Sequence, residues 1–175
     1  MSAPIIVTAL FEAEDFAWLE ALRRAHFPAD RNQVPAHLTL FQHLPPGIGE
    51  ELDRRLRAET RGTGAPLARV AGLMKLEQGV AFRIDSPGLE EVRAHIGEAF
   101  VPMLTPADRA PWRPHVTIQN KVLPQEAAAL HQALAADFRA RSVGIAGLST
   151  WRYRGGPWEP IARYAFSRSG RSRRS

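Results

Sequence analysis

The sequence predicts an α+β fold made of two similar halves, and three observations carry that prediction. Strand and helix patterns run β-α-β-α-β twice along the 175 residues, and each half contains one His-apolar-Thr-apolar strand. The offsets also match: His37 follows the start of the first strand, at residue 4, by 33 residues, and His115 follows residue 80 by 35. Two such halves form two antiparallel-rich sheets flanked by helices, facing one another across a central groove about a pseudo-twofold axis. The expected organisation is a single domain over 1–167, with lobes of about 1–78 and 79–167 that can exchange strands, followed by a disordered basic tail over 168–175.

The elements follow in order. Residues 4–11 are apolar and β-branched, a strand, and Asp15 then caps a helix whose stripe is Phe16, Leu19 and Leu22. Residues 36–43 form a second strand, stopped by Pro45-Pro46-Gly47, and Ile48, Leu52 and Leu56 mark one face of the next helix. A strand follows at 66–74. After the Gln78-Gly79 turn come a strand at 80–85, then Ser86 as N-cap with Pro87 in the first helical position and the stripe Leu89, Val92, Ile96 and Phe100. A strand at 114–121, a helix from Pro124 to about Arg139 and strands near 142–151 and 161–167 complete the second half.

Composition sets the outer bounds. Apolar residues at 45% and charged residues at 23% are ordinary for a soluble globular chain. The acidic Glu12, Glu14 and Asp15 directly after the first apolar stretch exclude a signal peptide, and no apolar run reaches the ~20 residues that cross a bilayer. The absence of cysteine removes thiolate chemistry and sulfur-ligated metals and fits a cytoplasmic location. The net charge of +5 is concentrated at the end of the chain, where Arg168, Arg171, Arg173 and Arg174 form a tail that adds weak, salt-sensitive attraction to phosphates.

The two motifs carry the chemistry. In His37-Leu38-Thr39-Leu40 and His115-Val116-Thr117-Ile118, strand alternation places His and Thr on one face and the apolar residues in the core. Opening a cyclic phosphodiester requires a base for the attacking oxygen and an acid for the departing one. Two imidazoles, each with an ordinary pKa of about 6.5, supply both, and the Thr hydroxyls can hold the non-bridging oxygens. Neither a metal nor another cofactor is called for. His43 is too far along the strand, roughly 20 Å, to share a metal with His37, and His26, His95 and His131 fall on helices. The same parity argument places Phe41 beside Thr39, and Gln119 and Lys121 beside Thr117. Arg113 stands at the mouth as a phosphate contact. Trp151 and Tyr153, interleaved with Arg152 and Arg154, form a candidate stacking platform for a base. Phosphate-loop, dinucleotide and serine-hydrolase motifs are absent.

The segments Pro35-Ala36-His37-Leu38-Thr39-Leu40 and Trp112-Arg113-Pro114-His115-Val116-Thr117-Ile118 resemble the 2H phosphoesterase superfamily, specifically its bacterial 2'-5' RNA ligase-like members. The resemblance extends to about residue 167. It implies a site in the central groove, His37 as proton donor, His115 as proton acceptor, and hydrolysis of RNA 2',3'-cyclic phosphate ends or reversible 2'-5' joining. The expectation is therefore a monomeric, metal-independent hydrolase of RNA ends or small cyclic nucleotides, involved in RNA processing. Two rivals stand beside it: a module that binds RNA ends or nucleotides in the same groove without turnover, and a structural domain whose His-Thr pairs only pack.

Overall fold

Alternating burial along the strands builds the sheet. In β1 (Ile5–Phe11), Ile5, Val7, Ala9 and Phe11 enter the core, while Thr8 and Leu10 point to the other face. The computed structural model describes residues 3–167, so the basic tail expected over 168–175 lies outside the described residues. After β1 come α1 (Ala13–His26), β2 (Thr39–Leu44), α2 (Gly49–Gly62), β3 (Leu67–Leu76) and β4 (Gly79–Asp85). The chain continues through α3 (Pro87–Glu98), α4 (Pro106–Arg109), β5 (His115–Gln119), α5 (Pro124–Ala136), β6 (Arg141–Arg152) and β7 (Glu159–Ala165).

The strands form one antiparallel, seven-stranded sheet in the order β2-β1-β6-β3-β4-β5, with β7 also on β6. β6 joins two arms. Residues 145–152 pair with β1 and residues 147–152 with β7, whereas residues 141–144 pair with β3. The expected sheets are thus fused through one shared strand, and each arm mixes strands from both sequence halves. Gly147 lets β7 close on β6, because a Cβ there would collide with the Tyr164 carbonyl. β2, which begins at Thr39 and not at 36 as expected, so that His37 lies just ahead of it, and β5, which begins at His115, end up at opposite extremes of the strand order.

Helix signals act largely as read. Ser86 Oγ accepts from Leu89 N at 3.3 Å with Pro87 in the first turn, and the α3 stripe of Leu89, Val92 and Ile96 is buried with Phe100. Asp15 behaves otherwise. The helix begins at Ala13, and the Asp15 carboxylate instead accepts from Gly144 N at 2.7 Å and Arg141 at 2.9 Å, tying α1 to β6. α1 and α5 pack on the β3-β4-β5 arm, and α2 packs on β6 and β7. Among the described residues no helix is long and apolar enough to cross a membrane.

Candidate active site

Each motif is anchored by the residue between its His and Thr. Leu38 and Val116 are both 0% exposed, and burying a side chain of this size stabilises the strand by about 1.5–3 kcal/mol. Both strands then bulge at the same place. Thr8 faces Thr39 but Val7 faces Phe41, which leaves Leu40 as the extra residue; Ala81 faces Thr117 but Val80 faces Gln119, which leaves Ile118 extra. A bulge reverses the parity of everything beyond it.

That reversal corrects two expectations. Phe41 is 1% exposed and lies in the core under the Arg93 guanidinium, not beside Thr39 in the groove. Gln119 is turned to the Val80 side and is 6% exposed, with its Oε1 unpartnered among the described residues. Neither side chain shares a face with the motif threonine. Regular alternation could not foresee either bulge.

The two imidazoles are held alike. His37 Nδ1 lies 2.8 Å from the Pro35 carbonyl and His115 Nδ1 lies 2.7 Å from the Arg113 carbonyl. A carbonyl only accepts, so Nδ1 donates and Nε2 remains the nitrogen that can exchange a proton in each neutral ring. Arg113 thus contributes through its backbone, and its side chain is exposed.

Side chains from the opposite half of the sequence grip each motif. The Trp112 indole donates to the Thr39 carbonyl at 3.0 Å, and Arg93 of α3 donates to the Leu40 carbonyl at 2.7 Å. The Asp108 carboxylate, 3% exposed, accepts from Gln42 N and His43 N at 2.9 and 3.1 Å. These contacts occupy the outer edge of β2, which would otherwise expose unpaired backbone. In the other direction, Arg23 of α1 donates to the Thr117 carbonyl at 2.8 Å and to Asn32 Oδ1 at 2.9 Å. The segment before His115 is therefore fixed to β2, and the helix before His37 is fixed to β5.

His37 carries the strongest electrostatic signature. Burial lowers its pKa from 6.5 to about 4; the Pro35 carbonyl pulls the other way, and the charges of Arg23 and His115 lower it further. His115 is thus within electrostatic reach of His37. The His37 ring also tilts against Trp158, with centroids 4.6 Å apart. Because the folded pKa lies below the ordinary value, the unfolded chain takes the proton first as pH falls. His37 therefore leaves stability untouched above about pH 6.5 and destabilises the fold progressively between there and about pH 4.

A cavity of about 540 Å³ opens beside His37, walled by Phe11, Phe16, Trp151 and Trp158 and floored by Thr8 and Ser149. Trp151 is held there by its indole N–H on Thr8 Oγ1 at 2.9 Å. Tyr153 lies past the end of β6, 45% exposed, and is not part of this wall. A larger depression of about 680 Å³ beside α2 contains neither motif. His43 spends its backbone N–H on Asp108, and His95 pairs with Glu59 on the surface. Among the described residues no group of three or more His, Asp or Glu side chains could hold a metal ion.

Trp158 and Arg23 were missed in the sequence. Trp158 sits in the irregular β6–β7 connection, where no periodicity marks it. Arg23 had a signal: it falls four residues after Leu19 on the buried stripe of α1, where a charged residue needs a reason.

A seven-stranded antiparallel sheet with a His-x-Thr motif at either end, His115 and Thr117 on β5 and His37 just ahead of β2, each ring presenting Nε2, is a two-histidine α+β class of site. Comparison with known proteins places it more narrowly. The family model described as the 2'-5' RNA ligase superfamily matches residues 11–157, and the chain belongs to that superfamily of 2H phosphoesterases. Its fold is that of solved structures far apart in sequence. The apo structure of E. coli LigT is 15% identical, with a TM-score of 0.60 covering 96% of this chain and 99% of that one. TT0787 of Thermus thermophilus is 16% identical, with a TM-score of 0.62 over 95% and 99%. E. coli LigT complexed with 3'-AMP is 14% identical, with a TM-score of 0.61 over 96% and 100%. No curated protein matches the sequence.

Proposed function

We propose that this protein is a metal-independent phosphodiesterase acting on RNA-type 2',3'-cyclic phosphates or 2'-5' linkages, with His37 and His115 as the acid–base pair. One observation carries the proposal: both rings spend Nδ1 on a carbonyl two residues earlier, which leaves two Nε2 atoms for proton transfer. In hydrolysis of a cyclic phosphate, one ring takes a proton from water as its oxygen bonds to phosphorus. The other ring gives a proton to the 3'-oxygen as its bond to phosphorus breaks. The product is a 2'-phosphate, and the Thr39 and Thr117 hydroxyls donate to the non-bridging oxygens while charge builds there. A ligand with 3'-AMP chemistry, as in the LigT complex, suits a cavity walled by Trp151 and Trp158.

The test is an assay panel of nucleoside 2',3'-cyclic phosphates, a 2'-5' linked dinucleotide and an ADP-ribose cyclic phosphate, each with product identification. Turnover to a 2'-phosphate is expected from the cyclic nucleotide. Tight binding without turnover anywhere in the panel would replace the enzyme with an RNA-end-binding module. Thr39→Val and Thr117→Val keep side-chain shape and lose the hydroxyl, so each should reduce kcat by a factor on the order of 10–10² with pH limbs in place. A shifted limb in either variant would show that the hydroxyl acts on a histidine and not on the phosphate.

The depressed pKa of His37 gives a second measurable outcome. In the empty protein its ring proton signals should titrate near pH 4. A nucleotide phosphate seated between the rings offsets the charges of Arg23 and His115, so the titration should move upward on adding a 3'-nucleotide. The same shift should separate the pH profile of kcat from that of kcat/KM. A His37 titration unmoved by saturating nucleotide would place the phosphate elsewhere.

A further inference from the structure

We infer that Arg163 forms a second phosphate subsite, so that the preferred substrate carries a phosphate on the 5' side of its terminal nucleoside. This rests on the phosphodiesterase reading above and specifies its substrate class. The register supplies the geometry: Thr39 faces Thr8, Thr8 faces Ser149, and Ser149 faces Arg163. Directly opposed residues of antiparallel strands share a face. These four side chains therefore make one row across β2, β1, β6 and β7, running from the motif threonine to a guanidinium.

The row passes under the cavity. Thr8, Ser149 and Arg163 line it together with His37, Trp151 and Trp158. Thr8 and Ser149 are each 2% exposed; Thr8 Oγ1 accepts from Trp151, whereas Ser149 Oγ is buried with no protein partner. Arg163 is exposed, and none of the ion pairs among the described residues involves it. At strand spacings of about 4.8 Å, the backbones at Thr39 and Arg163 are roughly 14 Å apart. That span is wide enough for a nucleoside to lie between a phosphate at the motif threonine and one at Arg163. A phosphate at the histidines and a second at Arg163 would then bracket a nucleoside whose base lies in the aromatic cavity. A planar guanidinium with no carboxylate partner is suited to hold that second phosphate in a bidentate manner.

The experiment compares kcat/KM on three substrates that share one nucleoside 2',3'-cyclic phosphate: with a 5'-hydroxyl, with a 5'-phosphate monoester, and as the 3' unit of a dinucleotide. The wild-type protein should prefer the two phosphate-bearing forms by about 10–100-fold, the range of a charge-assisted hydrogen bond, and Arg163→Gln should bring that ratio toward one. Preference for the monoester alone would identify a terminal phosphate as the ligand, and preference for both an internucleotide phosphate as well; either supports the subsite. Equal turnover of all three by the wild type, or an equal loss on all three in the variant, overturns it and leaves the phosphodiesterase reading standing. If none of the three is turned over, the cyclic-phosphate form of the phosphodiesterase reading fails, and binding decides the subsite by calorimetry. A nucleoside 3',5'-bisphosphate bound more tightly than the 3'-monophosphate, with the difference lost in Arg163→Gln, supports it; equal binding overturns it.

Discussion

Replacing His37 or His115 by alanine should each lower kcat/KM on a nucleoside 2',3'-cyclic phosphate by about 10²–10⁴, the range contributed by one well-placed general acid or base. Each variant should also lose one limb of a bell-shaped pH profile. With His37 gone, the surviving profile follows His115 alone: it rises with pH if His115 accepts a proton and falls if it donates. The superfamily resemblance leads us to expect the rise, and the complementary fall in His115→Ala. The apparent pKa that disappears with His37 should lie low in the free-enzyme profile, because burial and the neighbouring positive charges take that ring down to about 4. The double variant should lose less than the product of the single losses, since both rings serve one transition state. Near wild-type turnover in either folded single variant would remove the paired-histidine mechanism. Thermal unfolding of each variant checks that the loss is chemical.

The histidines were legible because their signal is local and doubled. A His-x-Thr strand with buried residues between its polar positions needs only strand alternation to be read, and Leu38 and Val116 are fully buried as that reading requires. The stripe of α3 was legible for the same reason, with its cap at Ser86. What alternation could not reach was everything past a bulge. One extra residue at Leu40 and one at Ile118 send Phe41 and Gln119 to faces opposite from those expected. The sharing of β6 between the two arms was equally hidden, since a long apolar strand does not state how many partners it has. The aromatic cavity was half legible: the alternation at 151–153 identified Trp151, but Trp158 meets His37 from an irregular connection.

Arg23→Met should show how the two motifs are held in register. Arg23 is 5% exposed, lies over the Phe27 ring at 4.2 Å, and donates to both Asn32 and the Thr117 carbonyl. Methionine keeps much of the apolar stem but leaves a carbonyl and an amide oxygen without a donor, which should destabilise the fold by about 2–4 kcal/mol in urea unfolding. Loosening Thr117 from α1 should also cost turnover by a factor on the order of 10–10², because small displacements of a positioned group weaken catalysis steeply. A purely structural role would end there. Arg23 also contributes to the depression of the His37 pKa, so removing its charge should raise the His37 titration in the folded variant, while Arg23→Lys should keep that titration low and still lose the two-pronged bond. Burial of His37, the larger cause of its depression, persists in both, so the titration in Arg23→Met should rise without returning to 6.5. A stable Arg23→Met protein with an unmoved His37 titration and normal turnover would mean that α1 neither orders the second motif nor sets the charge state of the first.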